Sequence, residues 1–132
     1  MVLVADSDLS TARLIRQRLE NRDTRIIEVA TALDCLKAVS EDNVDLVLLD
    51  LSLPDFDGWA LLSMLRLTRH LYDLPVILLS TDTPNPQLLR WFRPEAYIQK
   101  PVDAADLVSR VKAVINGRTR NSPAASSNLK GR

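Results

Sequence analysis

The run Asp45-Leu46-Val47-Leu48-Leu49-Asp50-Leu51-Ser52-Leu53-Pro54-Asp55-Phe56-Asp57-Gly58 holds four consecutive aliphatic residues, then an aspartate, then a stretch rich in turn formers. A short apolar run bounded by turn residues reads as a strand covered on both faces. Val44–Leu49 is that strand, apolar except for Asp45, and it delivers Asp50 to its carboxyl end. Asp57-Gly58 reads as a turn with a helix cap, and Asp55 as a solvated loop residue.

Outward from this run, four more segments share its character: Val2–Ala5, Arg25–Ala30, Pro75–Ser80 and Ala96–Gln99. Helical spacing lies between them. In the first helical segment Ala12, Ile15 and Leu19 share a face, and Ser10 is the expected N-cap. The second, Ala32–Ser40, carries Cys35, Leu36 and Val39. The third, Trp59–His70, carries Leu61, Leu62 and Leu65 and ends on His70, a cation suited to the helix dipole. The fourth, Pro86–Phe92, opens on proline, with one of Trp91 and Phe92 expected in the core and the other exposed. The fifth, Ala104–Asn116, has Asp103 as its expected N-cap and Gly117 as its stop. Strand and helix alternate five times. That predicts an α/β fold: a doubly wound, five-stranded parallel sheet with helices on both faces.

The 132 residues are one domain's worth, and 46% are hydrophobic against 26% charged, a globular balance. No stretch is long and apolar enough to cross a membrane. The first residues lack the basic region and apolar run of a secretory signal, which points to a cytoplasmic chain. One cysteine and one histidine exclude a disulfide framework, a thiolate zinc cluster and a multi-imidazole site. Cys35 sits on an apolar helix face and reads as a small buried hydrophobe. The three glycines are too far apart for a phosphate-cradling loop. All 17 acidic residues lie within 1–116 with 13 of the 17 basic ones, leaving a mildly acidic body and a basic end. That body has no electrostatic footprint for nucleic acid. The domain is thus expected to span 1–117, with 118–132 a flexible basic tail or linker.

In a sheet of this kind ligands gather where strands end, near the point at which strand order reverses. Strand one ends in Asp6-Ser7-Asp8, strand three in Asp50, strand four in Ser80-Thr81 and strand five in Lys100-Pro101. Acids, a hydroxyl and a lysine are therefore expected on one rim.

These motifs, in this order and at these intervals, resemble the receiver domain of two-component response regulators. The resemblance covers roughly residues 2–116. It implies a flavodoxin-like architecture and a phosphoryl group accepted from a histidine kinase or phosphotransfer protein onto Asp50. It implies Mg²⁺ held by Asp6, Asp50 and the backbone carbonyl of Ser52. Lys100 matches the lysine that pairs with a phosphoryl oxygen, and Ser80 and Tyr97 match the switch hydroxyl and switch aromatic. Lys100–Pro101 is expected cis by resemblance, where trans is the default. The implied output is a partner, or a second copy, on the face built from the fourth helix, fifth strand and fifth helix. Such a chain is a signalling phosphoacceptor with at most self-catalysed phosphotransfer and dephosphorylation, not a metabolic enzyme.

Three departures stand out. Ser7 stands where the family usually contributes a second acid, and its hydroxyl is a neutral, weaker Mg²⁺ ligand. Thr81 is bulkier than the family's usual residue. The fourth helix is short and flanked by Pro84, Pro86 and Pro94. The alternative reading is a pseudo-receiver, an interaction module working without phosphorylation because Ser7 replaces a metal-binding acid. A phosphatase using an aspartyl nucleophile needs an acid where Ser52 stands.

Overall fold

The computed structural model describes residues 1–120. Its elements alternate throughout: β1 (Val2–Ala5), α1 (Leu9–Leu19), β2 (Ile26–Val29), α2 (Ala32–Glu41), β3 (Leu46–Asp50), α3 (Gly58–Leu67), β4 (Val76–Ser80), α4 (Pro86–Phe92), β5 (Ala96–Gln99) and α5 (Ala104–Arg120). The strands form one five-stranded sheet in the order β2-β1-β3-β4-β5, with every pairing parallel.

The pleat explains the two-sided core. Successive strand side chains point to opposite faces, so Leu3, Val47, Leu49, Val76 and Leu78 pack on one side with Cys35 of α2 and Leu61, Leu62 and Leu65 of α3. Val2, Val4, Leu46, Leu48, Ile77 and Leu79 pack on the other with Ile15 of α1 and Leu107 and Val111 of α5. Strands β1, β3 and β4 are buried along their whole length, which is why they read as unbroken apolar runs. Cys35 is fully buried, and burial pushes its thiol up to about 12.

Several boundaries differ from the sequence reading for local reasons. The N-cap of α1 is Asp8, not Ser10. Its carboxylate accepts from the Ser10 N–H at 3.0 Å and the Ser10 hydroxyl at 2.9 Å, and a charged acceptor suits a helix N-terminus better than a hydroxyl. Those two bonds also lower the Asp8 carboxyl below its usual range. Helix α3 starts on Gly58, capped by Asp57, and ends at Leu67. His70 lies in the following turn, so it does not terminate the helix. Gly117 does not stop α5, which runs to Arg120. No glycine among the described residues has positive φ, so Gly117 sits as an ordinary helical residue at a modest propensity cost. Residues 118–120 thus continue the helix, and the rest of the expected tail, 121–132, lies outside the described residues.

Helix α4 has no fully buried side chain. Phe92 packs against the core while Trp91 is 59% exposed, the split that the sequence suggested. The helix is tied down from α3 instead. The Arg66 guanidinium donates to the carbonyls of Leu74 at 2.8 Å, Phe92 at 2.9 Å and Arg93 at 3.2 Å. A charged group bonded to helix-end carbonyls is a favourable C-terminal cap. Arg66→Ala is expected to cost about 2 kcal/mol of stability. Its amide hydrogen exchange should quicken in residues 86–93 before the sheet is affected. Unchanged exchange in α4 would show that the bonds to Phe92 and Arg93 do not hold the helix.

Candidate functional site

Strand register assembles the site. Ala5 is opposite Leu49, so the next residues, Asp6 and Asp50, leave the sheet side by side. β1 and β3 are also where the strand order reverses, the crevice in which such sheets bind ligands. Ser80 closes β4 opposite Gln99 of β5, and the Lys100 N–H donates to the Ser80 carbonyl at 2.7 Å. The expected acids, hydroxyl and lysine therefore meet on one rim. Asp6, Asp50 and Ser80 are all buried there.

Lys100 bridges the two acids. Its Nζ lies 3.0 Å from Asp6 Oδ2, 3.2 Å from Asp6 Oδ1 and 3.4 Å from Asp50 Oδ2. Burial alone would push the ammonium down, but hydrogen bonding and charge from Asp6, then Asp50, outweigh it and hold Lys100 above its usual value. Asp50 moves the opposite way to a paired carboxylate. Burial pushes its carboxyl up, the Ser52 N–H opposes this, Asp6 adds to the rise and Lys100 offsets part of it. Two buried acids with one ammonium leave a net negative charge poorly served by solvent.

The remaining donors fix the acids in place. The Ser52 N–H donates to Asp50 Oδ1 at 3.0 Å, which lays the Ser52 backbone beside the Asp50 carboxylate. The Asp8 N–H donates to Asp6 Oδ1 at 2.9 Å, and the buried Thr11 hydroxyl donates to Asp6 Oδ2 at 2.9 Å. The side chain of Ser7 is exposed, and the carboxylate of Asp8 is occupied in capping α1. Among the described residues, no three His, Cys, Asp or Glu side chains gather as a metal cluster. The donors present still fit Mg²⁺: hard carboxylate oxygens beside a backbone loop, with an uncompensated negative charge. Mg²⁺ takes few protein ligands and keeps several waters.

Ser80 and Tyr97 are joined through one backbone unit. The Asp82 N–H donates to Ser80 Oγ at 3.0 Å, and the Tyr97 hydroxyl donates to the Asp82 carbonyl at 2.8 Å. The Tyr97 ring stacks on Trp59 at 6.4 Å. The Lys100–Pro101 bond is cis. A cleft of about 480 Å³ opens beside Lys100, lined also by Asp8, Thr11 and Thr81.

Two contacts escaped the sequence reading. Asp55 is not merely solvated: its carboxylate accepts from the Ala32 and Leu33 N–H groups at 2.8 and 3.1 Å and caps α2 from another loop. Those bonds, the Ala32 one foremost, lower its carboxyl. Thr11 was not singled out in the sequence, where its one signal is a polar residue directly before the Ala12, Ile15 and Leu19 face.

A family model for the response regulator receiver domain matches residues 2–112. The transcriptional regulatory protein KdpE of Mycobacterium tuberculosis H37Rv is 33% identical over 121 residues, covering 90% of this chain and 52% of KdpE. The DNA-binding response regulator MtrA of Mycobacterium leprae is 37% identical over 116 residues, covering 85% of this chain and 49% of MtrA. The chain spans about half the length of the curated relatives it matches. Among solved structures, the Francisella response regulator 1452 receiver domain superposes with a TM-score of 0.73 at 28% identity, covering 86% of this chain and 93% of that one. With its fold, its strand-end acids and these matches in agreement, the chain belongs to the response regulator receiver domain family.

Proposed function

We propose that Asp50 accepts a phosphoryl group from a histidine kinase or phosphotransfer protein, and that the modification switches an interaction surface in a cytoplasmic two-component pathway. The observation that carries this reading is the buried meeting of Asp6, Asp50, Ser80 and Lys100 at the strand-order reversal. In the transfer, an Asp50 carboxylate oxygen attacks phosphorus, and the bond from phosphorus to the donor breaks with its electron pair leaving on the donor. Lys100, already 3.4 Å from Asp50, pairs with a phosphoryl oxygen. Asp6, Asp50 and the Ser52 carbonyl would hold Mg²⁺, which supplies positive charge against the phosphoryl oxygens. The chain's own part is positioning and charge, so it is a phosphoacceptor with self-catalysed transfer and dephosphorylation rather than a turnover enzyme.

The readout runs through Asp82. When the Ser80 hydroxyl turns to the phosphoryl group, the Asp82 N–H loses its acceptor. The loop that Tyr97 holds by the Asp82 carbonyl then loosens. Two states of this loop and of α4, which lacks buried side chains, are enough for a switch. The face of α4, β5 and α5 carries the change to an output partner or a second copy.

The test is labelling by acetyl phosphate with and without Mg²⁺, followed by intact mass. Label that appears only with Mg²⁺ is the expected result, and none under any condition would leave a phosphorylation-independent module. Ser7 sets the rate. Ser7→Asp is expected to tighten Mg²⁺ binding about tenfold or more, by adding a carboxylate to a partly desolvated site. It should also speed labelling and slightly lower the melting temperature of the metal-free protein. Unchanged Mg²⁺ affinity would mean that position 7 does not face the ion.

A further inference from the structure

We propose that Thr11 is a positioning residue for this site, its hydroxyl holding Asp6 in its metal-facing orientation when Lys100 withdraws. The inference rests on the reading that Asp6 and Asp50 take a divalent ion. Asp6 has no solvent-accessible side-chain surface, so it depends on protein donors. Its three donors are the Asp8 N–H, the Thr11 hydroxyl and the Lys100 ammonium. They are not equivalent. Lys100 is a flexible cation shared with Asp50, and a divalent ion entering between the acids must displace it. The Asp8 N–H and the Thr11 hydroxyl are neutral and remain.

The local structure points the Thr11 hydroxyl at Asp6. Thr11 is the third residue of α1 and lies on its buried face with Ala12, Ile15 and Leu19. A threonine in a helix ordinarily turns its hydroxyl back on the carbonyl one turn earlier. Here the hydroxyl spans to the Asp6 carboxylate at 2.9 Å. With a serine at position 7, Asp6 is the one acid that the β1–α1 junction offers to the ion, since Asp8 is engaged in capping α1. Its orientation therefore sets the affinity more strongly than in a site with two acids. Without the hydroxyl, Asp6 leans further on Lys100, and the ion must displace a more firmly held cation.

Metal binding itself is the readout, independent of phosphorylation. Mn²⁺, which takes the same oxygen ligands, is titrated into the full chain and the free ion followed by electron paramagnetic resonance, with Mg²⁺ as competitor. Thr11→Val is expected to weaken Mn²⁺ binding about tenfold, the loss of one hydrogen bond to a buried charge. Thr11→Ala removes the hydroxyl without inserting a methyl and should behave alike. Thr11→Ser, which restores the donor, should bind within about twofold of the wild type. Equal affinity in Thr11→Val and the wild type would overturn the role of Thr11 and leave the metal site standing. Weak binding by Thr11→Ser would overturn it too, by tracing the loss to packing. A wild type that binds no Mn²⁺ would overturn the metal site and this inference together.

Discussion

Asp50→Asn is expected to abolish phosphoryl uptake completely, while the protein stays folded. The amide cannot attack phosphorus, and no second acid is built to replace it. Asp6 is tied to three donors and has no accessible surface, while Asp8 and Asp55 are committed to capping α1 and α2. Incubation with acetyl phosphate and Mg²⁺, then peptide mapping, checks the assignment. Stable label elsewhere in the variant would overturn it. A second effect has the opposite sign. Burial raises the folded carboxyl of Asp50 above its unfolded value of 3.8, so the native protein holds that proton more tightly than the unfolded chain. Asp50's contribution to stability therefore falls as pH rises from the unfolded value through the raised folded one, and the penalty is complete above both. Asn keeps an oxygen for the Ser52 N–H but carries no charge. The metal-free Asp50→Asn protein should melt above the wild type at neutral pH, with the gap closing toward acid. A variant that melts lower at neutral pH would show that Lys100 overcompensates the buried charge.

The largest stability effect is expected at Gly58, the first residue of α3. A Cβ there would sit 2.5 Å from the Leu51 Cα, 2.8 Å from Leu51 Cδ2 and 3.1 Å from the Asp50 carbonyl oxygen. The first contact is backbone, and the segment cannot retreat freely, because the Gly58 N–H donates to the Leu51 carbonyl at 3.1 Å and the Leu51 N–H to the Leu79 carbonyl at 3.0 Å. Gly58→Ala gains up to about 1 kcal/mol in helix propensity. Overpacking against backbone outweighs it, for a net loss of about 3 kcal/mol. In a domain of this size that is roughly 10 °C in melting temperature. Any relief must move Leu51, and with it the peptide beside Asp50, so labelling of the folded fraction should slow as well. Gly58→Val should not accumulate as folded protein. An alanine variant as stable as the wild type would show that α3 can step away from the β3 loop at little cost.

The alternation of buried runs and amphipathic segments was plain in the chain because both faces of the sheet are covered. A strand such as Leu46–Asp50 then has no polar side to blur it. Asp6, Asp50 and Ser80 were legible for the same reason: each is the first polar residue after such a run. Lys100 follows the half-exposed β5 and was legible only as the residue beyond a strand end. Capping and termination were less legible. Ser10 and Asp8 are both good N-cap types, and the choice between them turns on which side chain reaches the free N–H groups. Gly117 permits a stop without requiring one. His70 fell outside α3 because the chain leaves the helix at Thr68 to reach β4.

By itself, then, the order of residues determined the parallel sheet and the rim on which its acids, hydroxyl and lysine gather, since these follow from periodicity and from which residue ends each strand, while the departure at Ser7 was legible through the family resemblance. The tertiary structure alone decided which contacts hold that rim. The Ala5–Leu49 register sets Asp6 beside Asp50, Lys100 crosses from β5 to both acids, and Thr11, Asp55 and Arg66 each spend their polar atoms on an element distant in sequence or on a neighbouring turn. No local pattern encodes those choices. A buried donor or acceptor takes whatever partner packing brings within about 3 Å, and packing is a property of the whole chain.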